Sequence, residues 1–271
     1  TANGNVNFAG AAALAFFTSS TRASIDTSGS VQADGSVDVL ATATEDLTTS
    51  ADGRNTGSGA TGIGVAVAFA LTDSTTSASV AAPTLLDADG GLNVSATLAA
   101  GNSYTVSATS GAGQATGTSV AGSVAIHVLD TSAEAAVLGN TVLGAGTDLS
   151  LSASNTTTAV TTAEPVVADA NAENPDNGIG ASVAVAAIDN LSSARIAQDA
   201  SLTGAGDVSL DATGVYTTTT TAKAGGTGDV GFGGAFAISV VDNTTQALVQ
   251  SGSAISVASL SAAATHTAIT T

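Results

Sequence analysis

Apolar and polar residues alternate along most of this chain with a period of two, and the alternating stretches are punctuated by Gly, Asn and Asp. Residues 62–71 and 178–188 open Gly-rich and continue as alternating Val and Ala. Val37-Asp38-Val39-Leu40-Ala41 and Leu149-Ser150-Leu151-Ser152-Ala153 put apolar side chains at every second position. Thr-rich runs at 42–50, 103–110, 155–162, 216–222 and 265–271 do the same with hydroxyls. Successive side chains of an extended chain point to opposite faces, so this is a strand pattern. No segment carries a convincing 3.6-residue period, and an all-β chain is predicted.

The alternation is itself repeated. Val185-Ala186-Ala187-Ile188-Asp189-Asn190 has a counterpart in Ile238-Ser239-Val240-Val241-Asp242-Asn243. Weaker copies end at Asp73 and Asp130, and a degenerate one at Thr18. Positions 18, 73, 130, 189 and 242 are 55, 57, 59 and 53 residues apart, a period of about 56. Five residues after each stands an Ala: Ala23, Ala78, Ala135, Ala194 and Ala247. A second anchor, apolar-x-apolar-x-Ala, ends at Ala41, Ala96, Ala153 and Ala212, each 23 residues on, and the fifth copy is read as ending at Ala262, 20 residues on. Length variation falls in the other half of the period, in the Gly- and Asp-rich stretches 50–60 and 169–177, which read as loops. Each period is expected to hold four strands, with the Asp marking a turn between the first two. The expected repeats are 1–56, 57–111, 112–173, 174–225 and 226–271, one elongated array.

The first strand of each period has two unlike faces. Leu71, Phe69 and Val67 alternate to one side, as do Val128, Ile126 and Val124, and Val240, Ile238 and Phe236. The other side carries Ala70, Ala68 and Ala66, or Ser and one His127 at the same phase. This predicts a strand buried on both faces, the small side covered at close approach by another segment or a neighbouring subunit.

One period buries too little Val, Ile and Leu to offset a chain entropy of about 1 kcal/mol or more per residue. Stacked periods give every strand a neighbour at about 4.8 Å and set like residues above like. A right-handed parallel β-helix or related β-solenoid of five repeats is therefore expected. The alternative is a string of small β-sandwiches, one per period, which would be small for independent domains without disulfides.

Residues 178–213 carry Gly178-x-Gly180-x-Ser182-Val183-Ala184-Val185, then Asp189-Asn190, Ala194-x-Ile196 and Leu202-Thr203-Gly204-Ala205-Gly206-Asp207-Val208-Ser209-Leu210. This resembles the repeats of giant bacterial surface proteins, the filamentous-haemagglutinin-like and autotransporter-passenger-like adhesins. The resemblance extends over five copies and implies secretion to the cell surface, a β-solenoid stalk or filament, and adhesion. It carries over no catalytic residue, since the matched motif is structural.

Composition narrows the chemistry. Four Lys and Arg against 22 Asp and Glu give a net charge of −18, with no Cys, Met or Trp. Without Cys there are no disulfides, thiolate metal sites or Cys nucleophiles. Four cations supply no basic footprint for nucleic acid. Charged residues are only 10% and the mean hydropathy is positive, unlike a disordered chain. No apolar run of about 18 residues offers a membrane span. The start at Thr1, in mid-pattern, suggests a processed protein or a fragment. No resident cofactor is expected. Calcium is the one ion considered, at Asp73, Asp130, Asp189 and Asp242, but side-chain-to-backbone turns explain those acids better. Glu164, Asp169, Glu173 and Asp176 read as a solvated loop. Arg22, Arg54, Arg195 and Lys223 fall at different phases and do not assemble with paired carboxylates, so no catalytic residue is named and no enzyme is expected; a polysaccharide-binding or -cleaving β-helix is the weakest reading. His127 and His266 stand alone and read as packed residues. Asn93, Asn155, Asn190 and Asn243 fit the glycan acceptor pattern, but they recur because the repeat recurs. A strict ice-binding Thr-x-Thr array is not expected, because Tyr104, Val106, Glu45 and Asp46 interrupt it. The expected function is an extracellular structural and adhesive rod, stalk or filament block. Its expected partner is itself or further repeats, or a host or matrix surface. The alternative is a self-assembling filament subunit.

Overall fold

The Val/Ala and Thr-rich alternations form two facing sheets of parallel strands. The computed structural model describes residues 5–80, 84–144, 146–166, 177–226 and 228–271. The first coil holds β1 (Val6–Ile25), β2 (Ser30–Ala33), β3 (Val37–Ala43) and β4 (Asp46–Arg54). The second holds β5 (Ser58–Val80), β6 (Thr84–Ala88) and β7 (Leu92–Gly111), and the third β8 (Gln114–Val137), β9 (Thr141–Leu143) and β10 (Leu149–Pro165). The fourth is β11 (Asn177–Ile196) and β12 (Ser201–Ala222), and the fifth β13 (Val230–Val249) and β14 (Ala254–Thr270). Sheet A has the order β1-β5-β8-β11-β13, so each strand lies beside its copy in the next coil. Sheet B runs β2-β6-β9-β12-β10-β7-β3, with β14 on β12 and β4 on β7. The pairs are parallel. The chain is thus a parallel β-solenoid. Tandem β-sandwiches, which pair strands antiparallel within each unit, do not describe it.

The register follows the sequence anchors. Ala23, Ala78, Ala135, Ala194 and Ala247 form one row, and Ala41, Ala96, Ala153 and Ala212 another. The fifth copy of the second anchor departs from expectation. Ala212 pairs with Ala264, and Leu210 pairs with Ala262, after a register shift between Thr203 and Ala205. The matching run is Leu260-Ser261-Ala262-Ala263-Ala264, because the bulge around Gly204 absorbs a difference that sequence spacing had put elsewhere.

The expected turn at the recurring Asp does not exist. Asp73, Asp130, Asp189 and Asp242 lie in mid-strand, and the first two expected segments of each period are one strand of 20 to 24 residues. These Asp residues stay extended because ladder pairing holds the backbone, on both sides at Asp73, Asp130 and Asp189 and on one side at Asp242; local Asp-turn chemistry loses to pairing. The 50–60 stretch is likewise mostly strand, split between β4 and β5, and only residues 55–57 connect them.

The core lies between the sheets and changes width along the strands. Where sheet A strands end, Ala78, Val80, Ala135, Val137 and Ile196 meet Leu92, Val94, Leu149 and Leu151, with Leu86, Leu143 and Leu202 closing the side. Where they begin, the filling is almost all Ala: Ala66, Ala68, Ala70, Ala125 and Ala184 against Ala51, Ala108 and Ala163. Nearer still to the strand starts the inward residues are Gly. A Cβ at Gly62 would overlap the Ala112 carbonyl oxygen, one at Gly64 that of Gly111, and one at Gly180 that of Gly225. The Gly-then-Ala-then-large order in the sequence therefore sets a narrow and a wide end to each coil. Between them sit Tyr104, Leu129, Ala159, Ala186 and Ile188.

Candidate functional site

The outward face of sheet A is the feature that the fold leaves unexplained. The expectation of burial on both faces holds for one face only. The Ala and Ser side is interior, with Ala66, Ala68 and Ala70 at 0% exposure. The large side chains point outward, where no described residue of the chain covers them. Val65, Val67 and Leu71 in the second coil and Ile179 in the fourth are 37–43% exposed although strands flank them on both sides. In the end coils, Phe8, Leu14 and Phe16 on β1 and Phe232, Phe236 and Val240 on β13 are 58–72% exposed.

Parallel register stacks these residues in rows across the coils. One row is Phe8, Ile63, Val120, Ile179 and Phe232. Another is Ala12, Val67, Val124, Val183 and Phe236, followed by Leu14, Phe69, Ile126, Val185 and Ile238. The last is Phe16, Leu71, Val128, Ala187 and Val240. The Phe16 and Phe69 rings lie 5.9 Å apart and tilted, an edge-on aromatic pair on an open face.

The next outward row is Thr18, Asp73, Asp130, Asp189 and Asp242. These acids end the apolar half, and beyond them the face is polar, with Arg22, Ser77, Glu134, Ser193 and Gln246 in one row. Like charges at ladder spacing repel. Partial burial, then Asp189 and Asp73 on either side, raise the Asp130 carboxyl above its ordinary value. Among the described residues no three His, Asp or Glu side chains converge as a metal site. Asp169, Glu173 and Asp176 lie outside the described residues.

The Asn of the Asp-Asn pair points the other way. Asn190 receives a hydrogen bond from Thr131 Oγ1 at 2.6 Å and donates to Asn243 Oδ1 at 2.7 Å. Asn155, from sheet B, donates to Thr131 Oγ1 at 2.9 Å and to the Leu191 carbonyl at 3.0 Å, and Thr157 donates to Asn155 at 2.7 Å. The motif is thus an outward acid followed by an inward amide that links neighbouring coils of sheet A, while Asn155 of sheet B reaches across to Thr131 and the Leu191 carbonyl. Asn155 and Asn190 are buried, so the glycan pattern there is a by-product of this network.

The remaining singled-out residues are dispersed. Arg54 pairs with Asp52, Arg195 with Glu134 and Lys223 with Glu164, each at 2.5 Å. Arg22 lies three coils from Arg195 and two residues over from its row. His127 is fully buried between Ala70 and Ala186, 3.3 Å from Thr161 Oγ1, and burial pushes it down to about 4. His266 meets Thr245 Oγ1 at 2.9 Å and the Tyr216 ring at 5.5 Å. Tyr104 is interior and donates to Glu45 at 2.6 Å; burial first, then that carboxylate, raises its phenol.

The outward face of sheet B is hydroxyl-rich. Thr48, Thr105, Val160 and Thr219 form one row, and Ser50, Ser107, Thr162 and Thr221 the next. Tyr104 and Val106 do not interrupt these rows, since they point inward. Thr unites strand propensity with a solvated hydroxyl, which suffices to explain the array as a wet face. The molecule thus has one wet side and one dry side. Sequence reasoning found both sets of residues but assigned the dry set to the interior.

No protein-family model, curated protein or solved structure matches the chain.

Proposed function

We propose that the chain is a structural rod of the bacterial cell surface, a stalk or filament block whose work is to extend and adhere. The observation that carries this reading is the stacking of five coils in register, with β1 and β13 at the ends of sheet A paired on one side only. Open ladder edges are templates for a further strand. Among the described residues no helix caps either end. The partner of those edges is a further coil, from the same polypeptide or another copy, which makes the array extensible. The acidic surface keeps such a rod soluble and apart from anionic surfaces. Among the described residues no helix is long and apolar enough to cross a membrane. The reading assigns the chain no catalytic role.

Electron microscopy over a range of concentrations tests it. Uniform filaments a single coil wide identify the open edges as assembly surfaces and the chain as a polymer subunit. Short rods at all concentrations identify a stalk segment. Compact particles with no long axis would overturn the rod.

A further inference from the structure

We infer that the apolar half of the outer face of sheet A is a docking surface for a second copy of this chain, packed face to face with its strands antiparallel to the first. The inference goes beyond the rod reading and holds whether or not the coils sit on a cell surface.

Area comes first. Five strands at about 4.8 Å, each contributing the nine residues from the Phe8 row to the Phe16 row at about 3.3 Å, span roughly 25 Å by 25 Å. That is on the order of 600 Å² in projection, and more in accessible area, because Phe, Leu and Ile stand off the sheet. Monomers seldom leave so large an apolar patch open. Two such faces in contact bury close to the ~1,600 Å² of a standard specific interface, about 800 Å² per partner. Edge effects do not create the patch, since Val65, Val67 and Leu71 lie in an inner coil.

Charge and polarity select the occupant. The five outward rows from Phe8 to Phe16, the second of them Gly10, Val65, Gly122, Ala181 and Gly234, contain no ionisable residue, so self-packing buries no charge. A chain of net charge −18 is a poor ligand for an anionic membrane. The acid row fixes the orientation. With strands of the two copies in the same direction, the acid row would face its own image, Asp130 against Asp130 and Asp73 against Asp189. With strands antiparallel about a two-fold axis along the stack, centred on the Val124 row, the acid row faces the row Val6, Thr61, Thr118, Asn177 and Val230, so that Asp73, Asp130 and Asp189 meet Thr61, Thr118 and Asn177. Those side chains can donate hydrogen bonds to carboxylates. The face is therefore self-complementary in the one arrangement that also separates the like charges. Sheets packed in this way lie about 10 Å apart.

Sedimentation equilibrium of the full chain reads the association, with far-UV circular dichroism as the folding control. The expected result is a monomer–dimer equilibrium that closes at two, whereas end-to-end growth gives an open series. The substitutions Val124→Lys and Ile126→Lys together place two cations at the patch centre and leave the β1 and β13 edges intact. They are expected to weaken the dimer at least 100-fold without loss of strand signal. A monomer at ~100 µM, or a dimer indifferent to these substitutions, would overturn the inference. So would flotation of the chain with phosphatidylcholine vesicles in place of dimerisation. Orientation is read from the natural absence of Cys. A Cys at Val124 is expected to cross-link to its image with a bis-maleimide reagent of about 10 Å, and a Cys at Val128 is not. Cross-linking at Val128, alone or together with Val124, would refute the antiparallel arrangement.

Discussion

His127 is a buried group whose titration sets a sign for acid stability. Its row neighbours are Ala70 and Ala186, and desolvation holds it neutral by lowering it from 6.5 to about 4. The unfolded chain therefore takes up a proton first as pH falls. Stability is expected to drop between pH 6.5 and about 4, by up to about 3 kcal/mol. The variant His127→Ala, which restores the residue of its row, should flatten that slope in urea titrations at a series of pH values. Asp130 acts in the opposite sense, since its raised carboxyl costs stability at neutral pH and acid relieves that cost. Glycines offer a sharper contrast. The variant Gly64→Ala sets a methyl against the carbonyls of Gly111 and Gly53, and backbone cannot yield as a side chain can; a loss of about 2 kcal/mol or more is expected. The variant Gly122→Ala, with nothing within 4 Å, should be neutral or gain up to about 1 kcal/mol. Equal thermal shifts for the two would remove the narrow-end argument. Asn190→Ala removes the acceptor of the Thr131 hydroxyl proton and the donor to Asn243 Oδ1, for an expected loss of about 1–3 kcal/mol in chemical denaturation.

Strands of 20 residues and more are long, and their length follows from the stack. A turn at each Asp would break ladder bonds to both neighbouring coils. In the interior of sheet A, two ladders oppose one local preference. The same reasoning predicts a difference between inner and edge strands. The variant Val128→Pro removes a ladder donor on β8, which has neighbours on both sides; the same change at Phe16, in the same row on the edge strand β1, falls where the N–H faces the open edge, since N–H groups of this phase point to the preceding coil. The inner substitution is expected to cost about 3 kcal/mol or more and the edge one markedly less, compared by thermal melts. The ladder of sheet B is irregular at β7. Residues 99–101 stand opposite the single Thr156 of β10, and Asn102 bridges the break by donating to the Ala99 carbonyl at 2.8 Å and accepting from the Glu45 amide at 2.6 Å.

At the scale of the molecule, contacts run from coil to coil, so stability is expected to rise with each coil added. The charge of −18 sets the salt response of any association. Self-repulsion between acidic rods is screened within about 8 Å at physiological ionic strength, against about 30 Å at 0.01 M. Raising salt from 10 to 150 mM should therefore strengthen end-to-end and face-to-face contacts alike, a change read by light scattering at fixed concentration. Weaker association at the higher salt would mean that ion pairs, and not apolar contact and strand edges, hold the copies together.

The sequence by itself determined the all-β class, the period of about 56 and the alignment of the Ala rows, because a period-two pattern repeated at fixed phase has one cheap solution, like residues stacked above like. It also separated the Ala side of the first strand from its large side. It did not determine which side is inside. A strand of Val, Phe and Leu facing Ala reads as a buried large face on any local scale of hydrophobicity, yet here the small face is interior, because Gly62 and Gly64 bring the sheets into backbone contact and leave no room for Val67, Phe69 or Leu71 between them. The Asp-Asn pair was legible as a repeat mark but not as strand, since the ladders that hold it extended come from residues some 57 positions away. Sheet separation and cross-coil pairing are properties of the stack, and only the tertiary structure could place the large apolar side chains on the outer face.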